Sequence, residues 1–157
     1  MIGKYLLTFV CLVIWLLTFS IGAFVDTNPL RERLDLQFDF YDFLLVVSAW
    51  IPTNLAILSI MAGMSGALCR SLLRTLEVGV EQIRRSNERS RILGGGVAGL
   101  LFYLALMAGA FLLMEAPFET TTKEQYFRVA GVVSLVAFLA GLRPDLLRRI
   151  IDQLPGF

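Results

Sequence analysis

Three aspartates, Asp35, Asp39 and Asp42, fall at i, i+4 and i+7. On a helix they would share one stripe and concentrate cations at any mouth they border. Three arginines, Arg84, Arg85 and Arg89, cluster in one strongly charged stretch and offer the forked donors that grip carboxylates on a protein partner. Pro52 and Asn54 interrupt an otherwise apolar run. Proline has no N–H to give the Ser48 carbonyl, so Thr53, Asn54 or a water must satisfy it. A kink held by Asn54 and a pore constriction or gate hinge are both open readings of that pair.

Other chemistry is excluded by residue type. The chain has no histidine, which removes Ser-His-Asp and Cys-His nucleophile systems, imidazole metal sites and histidine pH switches. Its two cysteines, Cys11 and Cys69, form no C-x-x-C motif and read as packing residues. No ionisable side chain lies well inside an apolar run, whereas proton-coupled carriers need one there. The expectation is a protein without catalytic residues, metal or cofactor, and without direct nucleic-acid binding.

The elements that position these groups follow from composition. Of 157 residues, 57% are apolar and 17% charged, with 14 Lys and Arg against 13 Asp and Glu, and the mean hydropathy is +0.72. A soluble domain is nearer 45–50% apolar and about 25% charged, so lipid is the expected solvent. Cutting the chain at its charges leaves uncharged runs at Tyr5–Val25, Phe43–Cys69 and Ile92–Met114, each near the roughly 20 residues that a spanning helix requires. A fourth, Val129–Leu142, reaches that length only if Gln125 to Arg128 join it and Arg128 snorkels. The first run exceeds the roughly 7–15 residues of a cleaved leader's apolar region and is read as a span. The fold class is therefore all-α: one transmembrane domain with spans at about 5–25, 43–69, 92–114 and 125–142.

Orientation follows from basic residues, which stay on the cytoplasmic side. Ten lie at the N-terminus (Lys4), between spans two and three (Arg70, Arg74, Arg84, Arg85, Arg89, Arg91) and at the C-terminus (Arg143, Arg148, Arg149), against four in the other connections. Both termini are expected in the cytoplasm, in an inner (cytoplasmic) membrane. Residues 70–91 read as a helical hairpin turning near Ser86 and Asn87. Residues 143–157 read as an amphipathic surface helix whose Arg148 and Arg149 meet lipid head groups. The outer stretch Arg33–Phe40 alternates as a strand would, with the helical stripe of aspartates as its alternative.

Small residues recur at helix-packing spacing: Gly63 and Gly66, Gly95 and Gly99, Ala105 and Gly109, Ser134 and Gly141. Such pairs serve contacts within a chain or between chains, and their number favours a homo-oligomer. Ile51–Arg70 (IPTNLAILSIMAGMSGALCR), Ile92–Leu101 and Phe138–Arg149 (FLAGLRPDLLRR) resemble stretches of small four-helix prokaryotic membrane proteins. Some of these are membrane subunits of multi-gene systems, including Kiwa-type phage defence. The resemblance implies a multi-component assembly and carries over no diagnostic residue. The function expected is a non-enzymatic membrane subunit that self-assembles and anchors, senses or acts as effector with a cytoplasmic protein partner. The alternative is an oligomeric ion-conducting pore with Asp35, Asp39 and Asp42 at its mouth and Pro52 and Asn54 near its constriction.

Overall fold

A lone apolar segment satisfies its backbone in hydrocarbon only as a helix, and every regular element among the described residues is helical. The computed structural model describes residues 2–25, 28–36, 38–78, 88–113 and 122–143. They form α1 (Ile2–Phe24), α2 (Asn28–Leu36), α3 (Phe40–Ala49), α4 (Ile51–Val78), α5 (Glu88–Leu113) and α6 (Lys123–Leu142). Four stretches are long and apolar enough to cross a membrane: Tyr5–Phe24, Ile51–Arg74, Ser90–Leu112 and Lys123–Leu142. The fourth gains its length from a capped first turn. Thr122 accepts from the Gln125 amide at 3.3 Å, and the Gln125 side chain accepts from the Thr122 amide at 3.0 Å, a reciprocal capping box.

The uncharged run 43–69 is not one helix. Trp50 turns extended (φ −61°, ψ 122°), closing α3 by donating its amide to Val46 while its carbonyl accepts from Asn54 to open α4. Pro52 thus sits in a first turn, where a missing N–H is tolerated, and produces a corner between two helices rather than a kink within one. The second span accordingly begins at Ile51, and α3, about 15 Å long at the helical rise, is too short to cross.

Of the two readings left open for Arg33–Phe40, the described residues show no strand: α2 runs to Leu36 and a capped α3 begins at Phe40. Asp39 caps α3 by accepting from the Tyr41 amide at 2.9 Å, Asp42 lies in that first turn, where a carboxylate suits the helix dipole, and the rings of Phe38 and Phe43 meet at 5.9 Å across the cap. That last contact joins the residue before the cap to the fourth helical residue, as in a hydrophobic staple.

Helix α4 is the axis of the bundle, packed along α5, α6 and α1, and α3 contacts both α1 and α4. Leu55, Leu58, Tyr103, Met107, Tyr126 and Ala130 form its apolar centre, with Trp15 and Phe19 against them. Helix α1 is the least enclosed span, with Leu6, Phe9, Leu16 and Leu17 all more than half exposed, as a lipid-facing surface would be. Within α4, the hydroxyl of Ser65 is buried with no hydrogen-bond partner. Such a group costs roughly 1–3 kcal/mol, so Ser65→Ala is expected to hold or raise the thermal unfolding midpoint in detergent. A fall of several degrees would show that the hydroxyl has a partner after all.

Candidate functional site

Most polar side chains of the spans have short reach, and in hydrocarbon each must find a partner close by. Near the start of α4 several do so together. Asn54 is fully buried. Its Nδ2 donates to the carbonyl of Thr18 in α1 at 2.8 Å and to that of Ser48 in α3 at 2.9 Å. The second bond supplies the donor that Pro52 cannot. Tyr126 of α6 donates its hydroxyl to Asn54 Oδ1 at 2.7 Å, with the Phe19 carbonyl at 3.2 Å as the weaker acceptor of the same proton. From α5, Tyr103 donates to the Pro52 carbonyl at 2.6 Å. Both carbonyls beside Nδ2 can only accept, so one amide orientation satisfies the set.

Five helices are thereby tied at one level. Gly22 on α1 makes room for the clasp, since a Cβ there would collide with the Tyr126 hydroxyl and come within 2.8 Å of Asn54 Cγ. A second tie lies farther along α1, where Trp15 Nε1 donates to Ser134 Oγ of α6 at 3.1 Å. Trp15 stacks on Phe19 at 5.3 Å, and Phe19 reaches the ring of Tyr126 at 5.7 Å. Both amide protons and the carbonyl oxygen of Asn54 are engaged, so this arrangement fixes helices in place.

Beyond the clasp, α4, α5 and α6 meet through glycine. A Cβ on Gly63 would strike the Gly95 carbonyl and lie 3.3 Å from Gly99 Cα, and one on Gly141 would strike the Gly63 carbonyl. Gly66 is pressed against the backbone of Phe138 and Leu142, and Gly99 against the Ser59 carbonyl. These small faces are therefore spent within one chain, which removes them as an argument for a homo-oligomer. Gly109 is different: a Cβ there meets nothing within 4 Å, and Ala105 beside it is exposed.

The residues singled out by sequence are distributed as follows. Asp35 is exposed in the last turn of α2, Asp39 is the α3 cap and Asp42 lies in the first turn of α3. The chain breaks between α2 and α3, so the three do not form one helical stripe. Asn54 is buried inside one bundle, whereas Pro52 is half-buried with its carbonyl accepting from Tyr103. Arg89 lies in the first turn of α5, while Arg84, Arg85, Arg148 and Arg149 lie outside the described residues, as do the hairpin turn and the amphipathic tail. Tyr126, Tyr103, Trp15 and Gly22 were not anticipated. Trp15 carried a signal, because it lies mid-span rather than in the interfacial belt where tryptophan usually sits.

No family model, curated protein or solved structure matches the chain.

Proposed function

We propose that the chain is a non-enzymatic membrane subunit of a multi-component assembly. It combines with copies of itself and with a cytoplasmic protein partner, for which it acts as anchor, sensor or effector at the inner membrane. The observation that best supports this reading is the length of α4. Its 28 residues rise about 42 Å, beyond a hydrocarbon core of about 30 Å, and the helix runs on past its apolar stretch Ile51–Arg74 to Val78. Helix α5 begins at Glu88 before its own span starts at Ser90. Two helices thus extend past their apolar segments at the basic end, bracketing residues 79–87. The balance of basic residues puts that end, and both termini, in the cytoplasm.

The clasp and the glycine seam fit this role, since they make the spans a rigid mount for whatever the basic end recruits. An oligomeric pore fits less well, because Asn54 is consumed inside the bundle, the Pro52 carbonyl is taken by Tyr103, and Asp39 and Asp42 start α3. Self-assembly, on this reading, uses the Ala105 and Gly109 face of α5, which intramolecular packing leaves open.

Charge reversal tests the docking role. Arg84→Glu, Arg85→Glu and Arg89→Glu together are expected to reduce co-purification of the partner from native membranes at least tenfold while membrane insertion is unchanged. Undiminished recovery would count against a docking hairpin. Intact-complex mass of the wild type then reports whether copies and partner are both present.

A further inference from the structure

Helix α3 turns its apolar side away from the protein. Phe40, Tyr41, Phe43 and Leu44 are all exposed, whereas Ala49, on the opposite side of the helix, is buried. Phe38 before the helix and Trp50 after it are exposed as well. We propose that α3 is an interfacial anchor: it lies along the membrane surface at the clasp end of the bundle, with this aromatic side seated in lipid between headgroups and acyl chains. The proposal rests on the reading of the four apolar helices as spans and is independent of any cytoplasmic partner.

Three observations place it there. The first is the level of its C-terminal end. Helix α3 ends at the Trp50 corner, where α4 begins. Asn54 and Tyr126, each the fourth residue of its helix, are hydrogen-bonded to one another, so the starts of α4 and α6 are level. Lys123 and Glu124 open α6 and are exposed, and two such charges belong in water. The corner therefore lies at the membrane surface.

The second is the conflict at its N-terminal end. Asp39 caps α3 and Asp42 lies in its first turn, and these carboxylates bar the helix start from hydrocarbon. The exposed rings beside them bar it equally from water. Only the boundary satisfies both, and a helix with each end at one boundary lies along it. The third is residue type. Tyrosine and tryptophan, apolar rings with a polar atom, gather at headgroup level, and α3 carries Tyr41 and closes on Trp50. Its neighbours agree with this placement. Helix α3 touches α1, whose own lipid-facing side ends in exposed Phe24, and it touches α2, where Glu32, Arg33 and Asp35 are exposed and face water.

The test uses the full chain in phosphatidylcholine vesicles, with tryptophan emission quenched by bromine placed on the acyl chains either close to the headgroup or close to the bilayer centre. Trp15 and Trp50 are the two tryptophans. Trp50→Phe leaves Trp15, which lies at the middle of the span Tyr5–Phe24 and should be quenched at least twofold more by the deep bromine. Subtracting that emission from the wild type isolates Trp50, and subtracting it from the Phe40→Trp, Trp50→Phe double variant isolates position 40. Both ends of α3 should be quenched at least twofold more by the shallow bromine, with little response to iodide in the water. Each substitution exchanges one exposed ring for another, so helix content by circular dichroism should match the wild type. Stronger quenching of position 40 by the deep bromine would mean that α3 dips into the core. Quenching by iodide alone would mean that it stands in water, and quenching by neither that protein covers it. Any of these three results overturns the proposal. If Trp15 shows no preference for the deep bromine, the spans themselves fail and the anchor fails with them, a result distinct from the other three.

Discussion

Replacing Asn54 by leucine is expected to destabilise the folded bundle by on the order of 3–5 kcal/mol, measured as unfolding in mixed micelles. The side chain holds two carbonyls and one hydroxyl from α1, α3 and α6. Interhelical hydrogen bonds in bilayers average only about 0.6 kcal/mol and reach about 1.7, so three bonds alone account for roughly 2 kcal/mol. The larger share comes from what leucine leaves behind. The Ser48 carbonyl would again lack the donor that Pro52 cannot supply, and the Tyr126 hydroxyl would keep only the 3.2 Å contact to Phe19. Each buried orphan adds roughly 1–3 kcal/mol.

Tyr126→Phe gives the internal control. It removes one donor and leaves Asn54 Oδ1 short of one partner, so its cost should be near 1–2 kcal/mol. Because the two residues share a bond, the double variant should cost less than the sum of the single ones by at least ~0.5 kcal/mol. Strict additivity, or an Asn54→Leu variant within about 1 kcal/mol of the wild type, would mean that the clasp does not hold the helices together.

The sequence was informative where a local rule applied. Uncharged runs lie within a few residues of the first and third apolar helices, because charge at a helix end is a local property, whereas the fourth, Lys123–Leu142, is approached only when Gln125 to Arg128 are joined to the run Val129–Leu142. The unsatisfied Ser48 carbonyl was also legible, since it follows from Pro52 alone. The corner at Trp50 was not: an uncharged run looks the same whether it crosses the membrane or turns at its surface, and the turn is recorded only in the backbone angles of one residue. Asp39, Phe38 and Phe43 did carry the marks of a helix start, and Thr122 with Gln125 spelled a capping box. The alternation of Arg33–Phe40 masked the first, and reading residues 123–128 only for their hydropathy missed the second. Tyr126 and Gly22 could not be paired from one sequence, for their contact joins α1 to α6 across about a hundred residues.

Gly63→Ala carries the other large expectation. Adding one methyl to a helix interior ordinarily helps, since alanine is favoured over glycine by up to about 1 kcal/mol. Here the methyl would strike the Gly95 carbonyl, and the Gly141 backbone approaches Gly63 from α6. Backbone cannot swing aside as a side chain can, so relief requires α4 to withdraw from α5 and α6 along their whole contact. Apolar chains of lipid are as good a solvent for leucine as another helix is, so in a membrane close backbone approach is itself a principal source of cohesion. The expected cost is therefore at least ~3 kcal/mol, with Gly63→Leu failing to accumulate. Gly109→Ala supplies the comparison: its methyl meets nothing, so stability should stay constant or rise slightly, and any loss should appear in self-association instead. If Gly63→Ala and Gly109→Ala unfold alike, the seam between α4, α5 and α6 is looser than its backbone contacts indicate.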